Sequence, residues 1–399
     1  MKDFDYDLPE ERIAGYPLAE RDASKLLVWK EGQLTNTFYK KLAEYLPSPA
    51  TLVMNNSLVV EARILFQKPN GGQIEIFCLN PHSAYGSISV AMAQTGSALW
   101  TCLVGGASKW KPGQVLVKEF DKTRLEARFI EKRTDDFVVE FTWTPTSLSF
   151  VELLHQLGSI PLPPYLKRRA EISDKERYQT LYASEAGSVA APTAGLHFSE
   201  PLFRSLGEKK IIPLYITLHV GAGTFMPVKS DDPFNHQMHD EYIEVGADTI
   251  KRLLGKFNVP MIAVGTTSLR TIETLYWLGL MLSQSENILA KDLHLDQWYP
   301  YRQQALIPPE LALEYLLKWV REQPGEKLIT KTQLFIVPGY QFKILRGLIT
   351  NFHQPQSTLL LLIAALIGPS WKSVYEWALK NDYRFLSYGD GCLFLLQQG

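Results

Sequence analysis

The stretch LYITLHVGAGTFMP, at residues 214–227, most constrains the fold because it joins a predicted strand to a loop of small residues. Its first residues are aromatic or β-branched, as is typical of a β-strand. Gly221 and Gly223 end that pattern, since glycine adopts backbone conformations that side chains forbid and lets a ligand approach the peptide groups. His219 stands at the junction and carries a group that titrates near neutral pH. This pattern predicts a binding or catalytic loop at a strand end; the alternative is a glycine turn beside a core histidine.

Length, charge and cysteine content narrow the class of protein. The chain has 399 residues and a net charge of −1. This length predicts more than one domain, and the charge excludes a global attraction for nucleic acid, so that any such contact needs a local basic patch. Three widely spaced cysteines argue against a disulfide framework and a Cys-based zinc site. With no secretory signal visible and an apolar run at residues 359–367 that is too short to span a bilayer, we expect a cytoplasmic protein with a buried helix there.

The patterning changes along the chain and predicts an α+β, multi-domain fold. Residues 65–149 contain short alternating runs separated by Gly and Pro, which predicts a small inserted β-barrel domain. Residues 1–64 and 150–399 then form a mixed α/β main domain with a barrel-like sheet. Residues 281–331, rich in Trp, Tyr, Pro and charge, are predicted to be a surface elaboration of that domain.

Hydrophobic periodicity predicts the main elements. Strands are expected at residues 26–29, 52–54, 125–129, 137–143, 261–264, 334–337 and 342–349, and helices at 38–46, 147–157, 266–278 and 310–321, with Ser199 as the N-cap of a further helix.

Two further segments lead into helix starts. Residues 187–198 are dominated by small residues, and residues 261–270 run from an apolar strand through Gly-Thr-Thr-Ser into a helix. The free N–H groups at a helix N-terminus attract carboxylate or phosphate. The hydroxyls of the second segment are alternatively explained by helix capping alone.

Several familiar motifs are absent from the sequence. There is no P-loop, no complete dinucleotide-binding fingerprint and no nucleophile elbow. His236 and His239 are three residues apart and fit metal ligands on one helix face, which leaves a metal hydrolase as an alternative function.

Taken together, the motifs resemble the S-adenosylmethionine:tRNA ribosyltransferase-isomerases of queuosine biosynthesis. The resemblance runs nearly end to end and rests on AAPTAGLHF (190–198), LHVGAGTF (218–225), HQMHDEY (236–242), VGTTSLR (264–270), PGYQFK (338–343), ITNFHQPQSTLL (349–360) and YRFLSYGD (383–390).

The resemblance implies a reaction. Members of this family transfer the ribosyl moiety of S-adenosylmethionine to 7-aminomethyl-7-deazaguanine at the tRNA wobble position and isomerise it. The product is epoxyqueuosine, and adenine and methionine are released. S-adenosylmethionine is therefore expected as a consumed substrate, with no cofactor and no metal, in a monomer that binds tRNA and no membrane.

The resemblance also implies roles for individual residues. The candidates for the base that removes the ribose C5′ proton are, in order, His219, His197 and His353. Adenine departure is assigned to Asp390, Glu241 or His239. The substrate-binding residues are expected to be Thr193, Gly221, Gly223, Thr224, Phe225, Thr266, Thr267, Arg270, Asn351 and Tyr388, with Phe225 and Tyr388 stacking on adenine or the sulfonium and Thr266, Thr267 and Arg270 holding the methionine carboxylate.

Local basic residues are the expected tRNA contacts. They are Lys109, Lys111, Lys167, Arg168 and Arg169, and the alternative is a solvated, charged face.

One segment departs from the family pattern, because Leu58 replaces an Arg and Glu61 a Pro. These changes bear on the acceptor, so a paralogue with another acceptor, or a non-catalytic tRNA- or nucleoside-binding protein, is an alternative function.

Overall fold

The computed structural model of the protein describes residues 1–69, 71–134, 136–221, 236–285 and 287–396. Its strands are β1 (Lys25–Lys30), β2 (Gln33–Phe38), β3 (Ala50–Asn55), β4 (Ser57–Val59), β5 (Arg63–Gln67), β6 (Gln73–Pro81), β7 (Ser97–Gly105), β8 (Leu116–Phe120), β9 (Thr123–Lys132), β10 (Phe137–Thr144), β11 (Glu185–Ser188), β12 (Ile211–His219), β13 (Glu241–Gly246), β14 (Met261–Val264), β15 (Lys327–Thr332), β16 (Gly347–Asn351) and β17 (Gly391–Leu395). Its α-helices are α1 (Leu42–Tyr45), α2 (Ile88–Met92), α3 (Phe150–Leu157), α4 (Asp174–Arg177), α5 (Glu200–Glu208), α6 (Ala247–Leu254), α7 (Thr266–Gln284), α8 (Tyr299–Arg302), α9 (Pro309–Arg321), α10 (Thr358–Ile367) and α11 (Ser370–Lys380).

A large mixed sheet of nine strands forms the main body, in the order β15-β13-β12-β3-β14-β16-β17-β1-β2. Neighbours among β12, β3, β14 and β16 pair in parallel, whereas β13 and β17 run antiparallel to β12 and β16. The four central strands are almost wholly apolar, as expected for strands buried on both faces. In the described strands no pairing joins β15 to β2, so this sheet is open where the sequence analysis predicts a barrel-like main sheet.

A second sheet of six strands, β5-β6-β7-β10-β9-β8, is formed entirely from the segment between β4 and α3. All its neighbours are antiparallel, and its two edge strands come close enough for Lys118 Nζ to donate to the Leu65 carbonyl at 3.1 Å. The sheet is therefore nearly closed and barrel-like. The limits of a separate domain at residues 65–149 stay a prediction.

The helices bury the apolar faces that the sequence predicts. Ser199 caps α5 by accepting the Leu202 N–H at 3.2 Å, and α10 occupies the predicted buried apolar run. Helix α7 is almost entirely buried and packs so tightly against α9 that a Cβ on Gly279 would lie 2.0 Å from the Ala312 carbonyl oxygen. In the described ranges no single helix is long and apolar enough to cross a membrane; α10 and α11 pass together on length and composition, but bend by 112°.

Residues 281–331, predicted to be a surface elaboration, contain the helix α9 and most of the strand β15. This segment supplies the edge strand β15 of the large sheet, and its helix α9 buries Leu313, Leu316 and Val320. It is therefore part of the core, because its apolar residues recur at helical spacing and its strand pairs with β13. Residues 334–337, predicted as a strand, form an irregular segment instead.

Candidate active site

One edge of the nine-stranded sheet gathers the sequence motifs. Because β12, β3, β14 and β16 are parallel, their carboxyl ends lie at the same edge, where ligands bind in open α/β sheets. His219 ends β12, Thr266 follows β14, and Asn351 ends β16. The antiparallel strands β13 and β17 start at this edge, which places Glu241 and Asp390 there as well. Asn351 pairs with Gly391, the residue that follows Asp390.

His219 is held by a buried carboxylate at this edge. Its Nε2 lies 3.3 Å from Glu244 Oε1, and both side chains are at most 2% exposed. Glu244 Oε2 accepts from Lys327 Nζ at 2.7 Å, and Ser89 Oγ donates to Glu244 Oε1 at 3.1 Å. Burial raises the pKa of Glu244, but hydrogen bonds from His219 and Lys327 outweigh burial and bring this pKa to about 2. Glu244 is therefore an ionised carboxylate that accepts a hydrogen bond from the Nε2–H group of His219.

The other nitrogen of His219 faces a glycine. Its Nδ1 has no hydrogen-bond partner among the described residues. A Cβ on Gly187 would lie 2.8 Å from this Nδ1 and 2.3 Å from Ile88 Cγ2, and Gly187 has a φ of 140°. The missing side chain at residue 187 thus makes room for the Nδ1 side of the ring.

The start of α7 forms a second part of the site. Gly265, with a φ of 90°, donates to the Ile349 carbonyl at 2.8 Å and turns the chain from β14 into the helix. The expected capping is wrong, because the N-cap is Gly265 and has no side-chain cap. Thr267 Oγ1 is instead buried without a partner among the described residues. The helix N-terminus therefore keeps both its N–H groups and a hydroxyl available.

Arg270 lies one turn further along α7. Its Nη1 forms an ion pair with Glu241, and its Nε donates to the Leu334 carbonyl at 2.9 Å. Its Nη2 is buried without a partner among the described residues. Residues three apart on a helix share a face, so Arg270 lies on the same face as Thr267.

Asn351 joins β16 to the segment of small residues. Its Nδ2 lies 3.2 Å from Nε2 of His197, while its buried Oδ1 has no partner among the described residues. His197 stacks on Tyr39 with ring centroids 4.3 Å apart. Burial, with a smaller contribution from Arg384, lowers the pKa of His197 to about 3. His197 is thus neutral and accepts a hydrogen bond from the Asn351 amide.

His353 has both ring nitrogens occupied. Nε2 lies 3.1 Å from the Thr350 hydroxyl and Nδ1 lies 3.1 Å from the Tyr375 hydroxyl. Burial lowers the pKa of His353 to about 3. These contacts fit a structural residue better than the predicted base.

Asp390 and Tyr388 also have structural contacts. Asp390 accepts the backbone N–H groups of Lys25 at 2.9 Å and Arg384 at 2.8 Å, and burial raises its pKa. The Tyr388 hydroxyl donates to Asp174 at 2.8 Å. Tyr388 and His197 line a cavity of about 10 Å³, which holds one water at most and no adenine ring.

The remaining substrate-binding predictions have mixed outcomes. Thr193 begins the 3-10 helix that carries His197 and is followed by Ala194, which lies next to Gly265. Gly221 directly follows Val220, whose N–H donates to Ser188 Oγ at 2.8 Å. Three predicted residues lie outside the described ranges: Gly223, Thr224 and Phe225.

The basic residues predicted to contact tRNA do not form one patch. Lys109 and Lys111 are exposed between β7 and β8, at the end of the six-stranded sheet opposite its chain connections. Lys167 pairs with Glu10 at 2.6 Å, and Arg169 is exposed. Arg168 binds Asp174 through both guanidinium NH₂ groups, at 2.7 and 2.8 Å, and is only 13% exposed. Its guanidinium therefore holds the fold rather than facing solvent.

The residues that depart from the family pattern line a separate cavity. It measures about 280 Å³ and includes Leu58, Glu61 and His155. Glu61 is buried, lies 2.8 Å from His155 Nδ1 and pairs with Lys175 at 3.3 Å. The carboxylate that Glu61 adds to this segment is thus paired with His155 and Lys175.

Sequence reasoning missed Glu244 and Gly187. Glu244 is a carboxylate between Ile243 and Val245 in a short strand, and a charge flanked by apolar residues in a buried strand is a signal for a partner. Gly187 was noted only as one small residue among several. In the described ranges, which include His236 and His239, no group of three or more His, Cys, Asp or Glu side chains is placed to hold a metal ion.

Comparison with known proteins identifies the family of the chain. The profile of the family described as queuosine biosynthesis protein matches residues 1–394. The chain belongs to the queuosine biosynthesis protein family. This confirms the family resemblance of the sequence motifs.

Relatives in the queuosine biosynthesis family cover the chain from end to end. A protein of Halothermothrix orenii is 37% identical over 99% of both chains, and one of Legionella pneumophila strain Lens is 36% identical over 99% of both. Each is named S-adenosylmethionine:tRNA ribosyltransferase-isomerase. A crystal structure of S-adenosylmethionine tRNA ribosyltransferase from Thermotoga maritima is 27% identical and covers 98% of this chain and 99% of its own, with a TM-score of 0.46.

Proposed function

We propose that the protein is an S-adenosylmethionine:tRNA ribosyltransferase-isomerase, the activity for which its relatives are named. It transfers the ribosyl moiety of S-adenosylmethionine to 7-aminomethyl-7-deazaguanine at the tRNA wobble position and isomerises it to epoxyqueuosine. Adenine and methionine leave, so S-adenosylmethionine is a consumed substrate. In this proposal the enzyme is a cytoplasmic monomer that needs no cofactor, and residues 65–149 form an inserted domain.

A single observation carries the proposal. Four buried polar atoms without partners among the described residues belong to residues that the sequence assigned to the site: His219 Nδ1, Thr267 Oγ1, Arg270 Nη2 and Asn351 Oδ1. Buried polar groups are normally satisfied, and leaving one unpaired costs about 1–3 kcal/mol. Three separate motifs bring these atoms to one sheet edge, as a polar substrate requires.

His219 is the general base of the proposed reaction. The sulfonium acidifies the ribose C5′–H, and a base must remove this proton to begin the rearrangement. His219 Nδ1 has a lone pair without a partner among the described residues, because Nε2 carries the proton and donates it in a hydrogen bond to the Glu244 carboxylate. His197 accepts from Asn351, and both nitrogens of His353 contact hydroxyls, so neither offers an equivalent lone pair.

The N-terminus of α7 holds the methionine carboxylate in this proposal. A helix N-terminus attracts an anion, and a helix of 19 residues has a full macrodipole. Thr267 Oγ1 supplies a hydroxyl and Arg270 Nη2 an additional N–H donor. Glu241 partly neutralises Arg270, so orientation rather than net charge decides binding.

The test is adenine release. Purified protein is incubated with S-adenosylmethionine and tRNA carrying the 7-aminomethyl-7-deazaguanine precursor, and adenine is measured by chromatography. We expect release that depends on the precursor and is lost in His219→Gln. His294→Gln, a substitution of an exposed histidine outside the site, should keep turnover. Binding of tRNA without adenine release by the unmodified protein would overturn the proposal.

A further inference from the structure

A chain of polar contacts crosses from the six-stranded sheet to the edge of the large sheet. Ser89, on α2 of the six-stranded unit, donates to Glu244 on β13 at 3.1 Å. Lys327, the first residue of β15, donates to the other oxygen of Glu244 at 2.7 Å. Glu244 Oε1 lies 3.3 Å from His219 Nε2. The mechanism proposed above uses His219 and leaves the purpose of its three supporting residues open.

We propose that Glu244 is the positioning residue of His219, and that Lys327 and Ser89 hold its carboxylate in place. This inference rests on the proposed function and deepens it. Glu244 fixes the proton of His219 on Nε2 and so directs the basic lone pair of Nδ1 toward the substrate.

The tautomer follows from the donors and acceptors present. An ionised carboxylate only accepts hydrogen bonds, so Nε2 must carry the proton and Nδ1 the lone pair. The missing side chain at Gly187 leaves the space that the Nδ1 side of the ring needs, since a Cβ there would lie 2.8 Å from Nδ1. A base whose other nitrogen is oriented by a third group is the general arrangement of activated bases.

Lys327 and Ser89 offset the desolvation cost of the buried Glu244 carboxylate. Glu244 is 2% exposed, and an isolated charge at that depth is costly. Lys327 is 38% exposed and supplies a countercharge from the solvent side, while the Ser89 hydroxyl bonds the oxygen that faces His219. The six-stranded unit therefore contributes directly to the position of the proposed base.

The groups that face His219 determine how its protonation responds to substitution. In the described ranges β13 contributes Glu244 and the cross-strand neighbour Tyr242, and Lys331 lies over the Tyr242 ring at 4.9 Å. β15 contributes Lys327 through Glu244. Ser89 on α2 and Gly187 on β11, which contact this network, do not titrate.

Two substitutions should move the protonation of His219 in opposite directions. Glu244→Gln removes a negative charge next to the ring, so the imidazolium form becomes less stable and the base stays active to lower pH. Lys327→Met removes the positive charge behind Glu244, so the imidazolium form becomes more stable and activity is lost at higher pH. Lys318→Met is the control, because Lys318 is an exposed lysine on α9 outside this network.

Adenine release is measured against pH for the four proteins. We expect the acid limb of kcat/KM to shift by about one pH unit, downward in Glu244→Gln and upward in Lys327→Met, with no shift in Lys318→Met. In Glu244→Gln kcat should fall roughly tenfold or more while the KM for S-adenosylmethionine stays within about twofold. A purely structural role would lower activity without moving the acid limb in opposite directions.

A second measurement does not depend on turnover. Long-range ¹H–¹⁵N NMR of histidine-labelled protein, with His219 assigned by its loss in His219→Gln, reports the tautomer and its titration. An Nε2–H tautomer whose titration shifts in opposite directions in the two variants supports the inference. An Nδ1–H tautomer, or titrations that coincide, overturns it. If the unmodified protein releases no adenine, the proposed function fails, and the NMR result alone decides the role of Glu244.

Discussion

Gly187 and His219 are in such close contact that a Cβ on residue 187 would lie 2.8 Å from Nδ1 and 3.0 Å from Cε1 of the imidazole. Real Cβ atoms are not found this close to a neighbour, so any side chain at residue 187 must displace the ring. A φ of 140° adds backbone strain for any residue with a Cβ. Residue 187 thus controls the position of the base that we propose.

We therefore predict that Gly187→Ala abolishes most adenine release while the far-UV circular dichroism spectrum stays unchanged. The displaced imidazole loses its alignment with Glu244, and misplacement by about 1 Å can cost 10²-fold in rate. Gly207→Ala is the control, because nothing lies within 4 Å of its Cβ position in α5. Normal turnover in Gly187→Ala would show that the ring position is unimportant.

The buried histidines make stability depend on pH. Burial lowers the pKa of both His197 and His353 to about 3 from an ordinary 6.5. Below about pH 6.5 the unfolded chain binds protons that the folded chain excludes, so the free energy of unfolding falls with pH down to about 3. Each histidine contributes about 1.4 kcal/mol per pH unit in that window.

Urea unfolding between pH 7.5 and pH 4.5 tests this prediction in the wild type and in His353→Gln. The variant should be less stable at neutral pH, since Gln cannot reproduce both hydroxyl contacts, but its stability should fall less steeply with acid. Equal slopes in the two proteins would contradict a neutral, buried His353.

Glu273 organises the segment that carries the PGYQFK motif. From the middle of α7 it accepts the Tyr340 hydroxyl at 2.9 Å and the backbone N–H groups of Lys343, Ile344 and Leu345 at 2.8, 3.0 and 3.2 Å. We predict that Glu273→Ala costs about 3 kcal/mol or more in the free energy of unfolding, because it leaves several buried donors unsatisfied. Glu314→Gln, an exposed substitution on α9, should change stability by less than about 0.5 kcal/mol. A similar loss in both variants would refute this role.

Two adjacent arginines should respond differently to substitution. Arg168→Ala leaves the buried Asp174 without its partner and should destabilise the fold by about 3–5 kcal/mol. Arg169→Glu should leave stability nearly unchanged and weaken tRNA binding, with the slope of log Kobs against log salt reduced by about one. Filter binding over a range of KCl concentrations measures this slope, with Arg252→Glu on α6 as a control. An unchanged slope in Arg169→Glu would exclude Arg169 from the tRNA interface.

The sequence predicts the ends of the central strands well. The transitions at His219 and at Thr266 are visible because apolar, β-branched runs stop abruptly at small or polar residues. Family motifs then identify which strand ends belong to the candidate active site. Both signals are local along the chain, so they can be recognised without the tertiary structure.

Contacts between distant segments were not predictable from local pattern. The sequence pattern of Arg168 is that of a surface cation, and it does not show that Tyr388, 214 residues from Asp174, also binds the carboxylate that pairs with Arg168. The role of Glu244 is visible only through its contacts with Ser89 on helix α2 and Lys327 on strand β15, which are distant from it in sequence. Strand β15 was missed because an edge strand is short and only partly apolar, which resembles a surface loop in sequence.

The strand order of the large sheet has a consequence for synthesis on the ribosome. β17 lies between β16 and β1, so the two-stranded piece β1-β2 joins the rest of the sheet only after β17 has been translated. The six-stranded sheet comes from one continuous segment and can form much earlier. A nascent chain therefore carries a finished small sheet beside exposed, unpaired strand edges for most of its translation, and it depends on protection from aggregation until β17 emerges.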